Sequence, residues 1–384
     1  MCDLSIPDDV FSLILNLLDL TEYPKFFCLN KAIHLFLLNE HFKTQIIISK
    51  IPLSYIQNHT NNLHTLIVSK DRLIEDSLLK NLPNLRHLEL PLNENITNVG
   101  LKYLPLLTNL NLYVNKKITD QGLEYIPLIT RLILGCKDTI TNLGLKFIPN
   151  VTTLKLFYNI GITDLGLEYI PLVTNLDLHN NILITDVGLR YIPLITKLDL
   201  FCNKRITDVG LKYIPLIKTL VVGCNEIITD DDLKYIPLIT KLILSFNKNI
   251  TDVGLKYIPL VTNLNLYYNE NITDDGLKFI PLITRLKLGC SLRITNQGLK
   301  HIPLVTNLNL GRNVNITNEG LEFIPRITTL DLCHNTSITN EGLKFIPLTT
   351  TLNLASNTNI TNECIKFIPL VKHLTLILYD KNFM

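Results

Sequence analysis

The stretch ITKLDLFCNKRITDVGLKYIP, residues 195–215, decides the fold of this chain. In its first half, Leu198 and Leu200 alternate with other residues, which is the pattern of a short strand with one buried face. Asn203 follows where the chain must turn, and an Asn side chain satisfies the backbone groups of a turn. If such turns were stacked, their Asn amides would form a ladder.

The second half of the stretch has a longer period. Ile206, Leu211 and Ile214 fit one face of a short helix. The Thr207–Asp208 pair suits the start of that helix, because Thr caps free backbone N–H groups and an acid is favoured at the positive helix end. Pro215 ends the helix, since the residue before a proline is pushed out of the helical region. Each unit is therefore one strand, one Asn turn and one short helical segment.

This unit recurs at a fixed spacing of 22 residues. An Ile-Thr pair stands at thirteen such positions from 96–97 to 360–361, and Pro fills all fourteen of its positions from Pro83 to Pro369. A fixed period of this length indicates stacked repeats and not a globular enzyme domain. Counted from Leu66 to Leu374, we expect fifteen parallel strands with an inner face about 65 Å long.

A few positions depart from the repeat. The Asn column, which runs from 93 to 357, is replaced by Lys137 and Ser291. Both follow a Gly-Cys pair, which predicts a slightly shifted turn that tucks the Cys inward. The Gly column, which runs from 100 to 342, is broken at Asp232, and Cys364 breaks it again after that.

The spacing L-x-x-L-x-L-x-x-N-x-x-I resembles the leucine-rich repeat. The segment I-T-D/N-x-G-L resembles the cysteine-containing subclass of F-box/leucine-rich-repeat proteins, although these units are shorter and keep Asn where the subclass has Cys. The resemblance implies an α/β solenoid, a horseshoe of about 14–15 units of 22 residues spanning residues 63–384. High Ile, Asn and Lys usage, the absence of Trp and near-copy repeats resemble giant-virus or protist proteins.

The first fifty residues are out of phase with the repeats. Residues 4–43 resemble an F-box, with an Ile-Pro start, an acidic pair and a helical apolar core. The family's Trp near the end is missing. The resemblance implies that a module of residues 1–43 binds the Skp adaptor, and through it a cullin. The implied adaptor-binding residues are Ile6, Pro7, Val10, Ile14, Leu17 and Leu18.

A second interpretation of residues 4–43 is a plain N-terminal cap, because a solenoid must cover the apolar edge of its first unit. Residues 44–62 would bridge this module to the repeats, and QIIIS at 45–49 predicts an extra strand. The C-terminal stretch LILYDKNFM has no clear polar cap. The last edge is therefore covered either by this tail or by another chain.

The side chains between the buried strand leucines face the exposed, concave face of the sheet, and they differ from unit to unit. They form a mixed, nearly neutral surface with aromatic side chains, which fits a protein or peptide partner better than nucleic acid. The alternative is that the rings only pack on neighbouring strands. The predicted partner-binding residues are Tyr113, Phe157, Tyr158, His179, Phe201, Phe246, Tyr267 and Tyr268.

The helical side of the repeats carries a column of basic residues, the lateral column. An acidic partner or a membrane surface would fit it, but so would a solvated face whose aliphatic stems cover neighbouring aromatic rings. The lateral column comprises Lys102, Lys146, Arg190, Lys212, Lys234, Lys256, Lys278, Lys300, Lys344 and Lys366.

The composition bounds the class of protein. A net charge of +2 argues against a nucleic-acid footprint, and the acidic start MCDLSIPDDV is not a secretory signal. Eight cysteines without close pairs suit the cytoplasm or nucleus, and no apolar run is long enough to span a membrane. Cys136, Cys202, Cys224 and Cys290 share one repeat position, and only Cys202 and Cys224 lie on adjacent strands.

The repeat positions offer no catalytic, cofactor or metal site, because histidines, cysteines and acids recur in no suitable spacing. An enzyme is therefore the least favoured of three hypotheses. The first is a substrate-recognition subunit of an SCF-type (cullin-RING) ubiquitin ligase, whose F-box binds the Skp adaptor and whose concave face binds a target. The second is a non-enzymatic interaction scaffold or inhibitor whose N-terminal helices only cap the solenoid.

Overall fold

The computed structural model of this chain describes residues 45–48, 63–68, 74–135 and 139–375. The predicted module of residues 1–43, most of the bridging segment and the tail after residue 375 lie outside the described residues. Cys136 and Lys137 lie outside them as well.

The described chain forms one parallel sheet of sixteen strands, whose spatial order is the order of the sequence. Fifteen strands belong to the repeats, and an additional first strand confirms the prediction from QIIIS. The strands are β1 Gln45–Ile48, β2 Thr65–Val68, β3 His87–Glu89, β4 Asn109–Leu112, β5 Arg131–Gly135, β6 Thr153–Phe157, β7 Asn175–Asp177, β8 Lys197–Asp199, β9 Thr219–Val221, β10 Lys241–Ile243, β11 Asn263–Asn265, β12 Arg285–Lys287, β13 Asn307–Asn309, β14 Thr329–Asp331, β15 Thr351–Asn353 and β16 His373–Thr375.

Each unit returns through one short helical turn, which ends before the repeated proline. Three of these turns, at Asp230–Tyr235, Asn340–Phe345 and Asn362–Phe367, are 3₁₀ helices. The α-helices are α1 Asp76–Leu79, α2 Asn98–Leu101, α3 Asp120–Glu124, α4 Asn142–Leu145, α5 Asp164–Leu167, α6 Asp186–Leu189, α7 Asp208–Leu211, α8 Asp252–Leu255, α9 Asp274–Leu277, α10 Asn296–Leu299 and α11 Asn318–Leu321.

The core runs between the sheet and the helical turns. Strand register places Leu198 between Leu176 and Leu220, so that identical positions stack from unit to unit. Each burial of a Leu or Ile side chain contributes roughly 1.5–3 kcal/mol. The unit at 195–215 buries six such side chains to within 1% exposure, namely Ile195, Leu198, Leu200, Ile206, Leu211 and Ile214.

The Asn column is a ladder of buried amides that joins consecutive turns. The Asn203 side chain donates to the backbone oxygens of Asn181 and Ile184, each at 2.9 Å, and accepts from the N–H of Arg205 at 2.8 Å. Asn203 is fully buried, and a buried amide is tolerated only when its polar atoms are paired. The predicted amide ladder is therefore confirmed.

The Ser291 unit corrects one expectation about the turns. Cys290 has a φ of 67°, close to that of Cys202 and Cys224 at 64° and 63°, so its turn is not shifted. Cys290 stays half-buried, while Ser291 is fully buried and donates to the backbone oxygen of Asn269 at 2.9 Å. The prediction of an inward Cys was wrong here, because Ser291 takes the place of the missing amide.

The Asp or Asn after a repeated Thr forms a bridge to the next unit in most units, with Asp208 as an exception. The Asp186 carboxylate accepts the N–H and the hydroxyl of Thr207 in the next unit, at 2.8 and 2.5 Å. This bridge explains the Gly column, because an added Cβ at Gly210 would lie 2.3 Å from the Asp186 Oδ1 atom. Glycine is needed here for close approach and not for its backbone freedom.

Asp232 shows what happens when that glycine is replaced. Its own carboxylate accepts the N–H and the hydroxyl of Thr229, at 2.6 and 3.1 Å. Asp208, which would otherwise bridge to this unit, instead pairs with Lys212 at 3.0 Å. Where Asp232 replaces the repeated glycine, the bridge between units is therefore lost and a helix cap within the unit takes its place.

Candidate functional site

The candidate site lies where the strands end on the exposed face of the sheet. We call the Phe201-type and Cys202-type positions of all units the rim. At the Cys202-type position, twelve non-glycine residues have φ between 55° and 71°, and no glycine among the described residues has a positive φ. This left-handed conformation costs free energy for large side chains, and positions that bear such strain concentrate at functional sites.

Hydrogen bonds between units impose this conformation. The N–H of Phe246 donates to the Tyr267 oxygen at 2.9 Å, and the N–H of Tyr268 donates to the Gly289 oxygen at 3.3 Å. Gly or Asn would fit the position with less strain, yet it holds Tyr158, Phe246 and Tyr268. The solenoid keeps large rings on its rim at a cost in stability.

The Asp199-type positions are partly structural. Asp199 accepts the backbone N–H of Phe201 at 3.0 Å, and Asn265 accepts that of Tyr267 at 3.0 Å. From the sequence, we expected these side chains to differ between units and to select a partner. The hydrogen bond that they accept from the backbone was not expected, although the recurrence of Asp and Asn at one repeat position indicates it. The caps are Asn111, Asp177, Asp199, Asn265, Asn309, Asp331 and Asn353.

Three of the predicted partner-binding residues form the first aromatic cluster, at β6–β8. The His179 and Phe201 rings are stacked, with centroids 5.1 Å apart and planes 11° apart. The Tyr158 ring contacts His179 edge-on at 5.5 Å. The structure therefore brings together residues from three consecutive units.

Three more form the second aromatic cluster, at β10 and β11. Phe246 and Tyr268 are stacked at 4.9 Å, and Tyr267 meets Tyr268 edge-on at 4.5 Å. Tyr113 lies apart from both clusters, on the unit of β4. Phe157 ends β6, but its side chain lies outside the described part of the chain.

The rings pack on neighbouring strands and still present surface to solvent. An added Cβ at Gly223 would lie 2.5 Å from Cε2 of Phe201, and one at Gly289 would lie 2.3 Å from Cε2 of Tyr267. These two rings therefore rest on the glycine of the next unit. Tyr158 and Phe246 remain 56% and 45% exposed. Each cluster is thus a partly exposed apolar surface whose rings are held in place by the next unit. Aromatic residues of this kind anchor partners at protein interfaces.

Two acids lie in register beside the first cluster, Asp177 on β7 and Asp199 on β8. Partial burial, and then the charge of Asp199, raise the pKa of the Asp177 carboxyl. His179 Nδ1 lies 3.9 Å from the Asp199 Oδ1 atom, which would become an ion pair if the imidazole were protonated. Lys155 on β6 is in register with Asp177, and Lys197 lies on β8 with Asp199, so this part of the concave face carries charges of both signs.

The lateral column behaves as a solvated face. Lys256 lies 5.1 Å from the Phe279 ring centroid of the next unit, and Lys300 lies 4.8 Å from that of Phe323. Several lysines of the column also pair with an acid three or four residues earlier, as Lys212 does with Asp208. The contacts support the solvated-face interpretation over an acidic or membrane ligand.

The cysteines of the rim show no metal geometry. Cys202, Cys224 and Cys290 are free and half-buried, and burial followed by the neighbouring Cys224 raises the pKa of the Cys202 thiol. Within the described ranges, no three His, Cys, Asp or Glu side chains are grouped to hold a metal ion. No helix among those residues is long and apolar enough to cross a bilayer. The six predicted adaptor-binding residues lie outside the described residues.

Comparisons with known proteins agree with this repeat geometry. The family model described as "Leucine Rich repeat" matches residues 81–105, 193–214, 237–258, 301–324 and 327–346. A search of curated proteins finds no match to the sequence. None of the comparisons indicates a catalytic family.

Solved structures with the same fold cover most of the chain. A chain in the crystal structure of the yeast Rad7 and Elc1 complex matches with a TM-score of 0.58 and 17% identity, covering 100% of this chain and 100% of that chain. The functional domain of InlJ from Listeria monocytogenes, which includes a cysteine ladder, matches with a TM-score of 0.55 and 21% identity over 85% of this chain and 71% of that one.

The internalin InlF from the same bacterium matches with a TM-score of 0.51 and 22% identity, covering 85% of this chain and 89% of the internalin. At these identities the likeness concerns the fold. Together with the family matches and the sixteen-stranded sheet, it confirms that the chain is a solenoid built from leucine-rich repeats.

Proposed function

We propose that this chain is the substrate-recognition subunit of an SCF-type (cullin-RING) ubiquitin ligase. The module of residues 1–43 binds the Skp adaptor, and the concave face binds a target protein. The chain supplies proximity between the target and the ubiquitin-transferring enzyme, and no chemistry of its own. The F-box resemblance of residues 4–43 supports the adaptor half of this proposal.

The observation that carries the target-binding half is the retention of large rings at strained rim positions. Phe246 and Tyr268 both have φ of 62°, and no packing need of the core explains them, because their rings lie outside it. Rigid aromatic side chains lose little entropy on binding and anchor protein interfaces. A chain of the yeast Rad7 and Elc1 complex shares the fold, and its assembly with a second protein supports a protein partner here.

A second candidate function is an interaction scaffold whose N-terminal helices only cap the solenoid. The position of β1 favours it, because this edge strand begins at Gln45, directly after the module of residues 1–43. An exposed edge strand needs a cover, and the preceding residues are the nearest segment of the chain. The two functions differ in whether the Skp adaptor binds.

The test uses full-length protein expressed with a tag in eukaryotic cells, and co-purifying proteins are identified by mass spectrometry. Ile14→Asp places a charge within the predicted apolar helix face. Ser12→Asp is the matched control, because helical spacing puts position 12 about 200° from position 14. We expect adaptor and cullin with the wild type and with Ser12→Asp, and neither with Ile14→Asp. Wild-type protein that recovers neither would identify residues 1–43 as a cap.

A further inference from the structure

One region of the concave face is basic. The units of β10–β13 contribute sixteen residues to this face, counting two outward strand positions and two rim positions in each. Lys241, Arg285, Lys287 and Arg312 are among them, all four are exposed, and none of the sixteen is Asp or Glu. We call these four residues the basic concave patch. The mixed surface expected from the sequence therefore contains one region that is basic alone.

The four cations of the basic concave patch are uncompensated within the described part of the chain. None of them forms an ion pair with a described residue, whereas five lysines of the lateral column pair with acids on their own helical turn. The acids nearest in register are Asp331 on β14, and Asp177 and Asp199 on β7 and β8. Asp331 therefore bounds the patch on one side, and the uncharged outward residues Thr219 and Val221 of β9 bound it on the other.

The second aromatic cluster lies within this patch. Lys241 precedes it on β10, and Arg285 and Lys287 follow it on β12. Strands lie about 4.8 Å apart, so that Lys241 and Arg285 are separated by roughly 10 Å and the four strands span roughly 14 Å. An extended peptide of four or five residues covers that distance at about 3.3 Å per residue.

The geometry points to an extended acidic segment of a partner protein as the ligand of the basic concave patch, with an apolar or aromatic side chain seated on the second aromatic cluster. This inference rests on the proposed role of the concave face and names the chemistry of its partner. Charge complementarity steers such a segment to the patch.

Nucleic acid fits the patch less well. Four cations within a chain of net charge +2 make a small footprint for a phosphate backbone. A single-stranded oligonucleotide is therefore the competing ligand in the test.

The test selects phage-displayed random twelve-residue peptides on the full-length protein and measures the enriched peptides by fluorescence anisotropy. We expect enrichment of Asp and Glu around one large apolar residue, and affinity that falls as salt rises. The double variant Arg285→Glu/Lys287→Glu should weaken binding at least tenfold. Lys256→Glu in the lateral column is the matched control and should leave binding unchanged.

Several outcomes would overturn this inference. They are enriched peptides without acidic residues, acidic peptides that bind the double variant as well as the wild type, and a ten-nucleotide oligouridine that binds more tightly than any peptide. Far-UV circular dichroism of the variants shows whether they are folded. Peptide binding does not involve residues 1–43, so that its failure and a failure to bind the Skp adaptor are seen separately.

Discussion

The buried amide ladder allows a quantitative prediction about the stability of the folded protein. Asn247 is fully buried, and its side chain donates to the oxygens of Asn225 and Ile228 at 2.7 and 2.9 Å. It accepts the N–H groups of Asn249 and Ile250 at 2.9 and 3.1 Å. Each such bond contributes about 1 kcal/mol net. Asn247→Ala removes all four bonds, and we expect a loss of about 4 kcal/mol in the free energy of unfolding.

The reverse substitution is available in the same protein. Ser291 keeps a single ladder bond, to the Asn269 oxygen, on a backbone like that of its neighbours. Ser291→Asn should therefore restore three bonds and add about 3 kcal/mol. Lys248→Ala, at an exposed position beside the ladder, is the control for Asn247→Ala and should change stability by less than about 0.5 kcal/mol.

Urea unfolding followed by far-UV circular dichroism measures these differences. Because long repeat arrays need not unfold in one step, hydrogen exchange of peptides spanning β10 and β11 localises the effect. If Asn247→Ala lowers the free energy of unfolding by less than about 1 kcal/mol, or if Ser291→Asn lowers it at all, the ladder does not stabilise the turns. Loss of structure far from β10 and β11 would contradict a local role.

Three further predictions concern single side chains. Gly254→Ala would bring a Cβ within 2.4 Å of the Asp230 Oδ1 atom and break its bridge to the next unit, so that urea unfolding should show a loss of about 2 kcal/mol despite the better helix propensity of Ala. Carboxyl NMR titration should find the pKa of Asp177 above its usual value, because of burial and then Asp199, and Asp199→Asn should lower it. The ionised form of Asp177 is therefore disfavoured by folding, so its contribution to stability weakens as pH rises from the unfolded pKa of about 3.9 through the folded one. Burial raises the pKa of the Cys333 thiol to about 12, so mass spectrometry should find it unalkylated after brief iodoacetamide treatment of the native protein at pH 8.

The periodicity of the sequence is sufficient to predict the fold. The 22-residue spacing, the Asn column and the QIIIS segment predicted the stacked units, the ladder and the additional strand β1, and the structure confirms all three. These features depend on residues whose local preference agrees with the stacked arrangement, and such agreement is visible in a single chain.

The backbone conformation and the charge of the site depend on which strands pair and in which register. Tyr268 has no intrinsic preference for a positive φ, and its conformation follows from the N–H bond to Gly289 in the next unit. Likewise, Lys241 and Arg285 are 44 positions apart in the sequence, and only the pairing of β10, β11 and β12 places them on one small surface. The sequence did not predict the bridge between Asp186 and Thr207, because each residue alone resembles an ordinary helix cap.

The most direct test of a partner-binding rim replaces its strained rings without weakening the fold. Phe246→Gly/Tyr268→Gly removes two rings of the second aromatic cluster, and glycine suits their φ of 62° better than any other residue. We would compare the proteins that co-purify with the full-length wild type and with this double variant by quantitative mass spectrometry. We predict that the folded variant retains the Skp adaptor and cullin and loses the remaining partners. An unchanged set of partners would contradict the assignment of the rim as the target-binding surface.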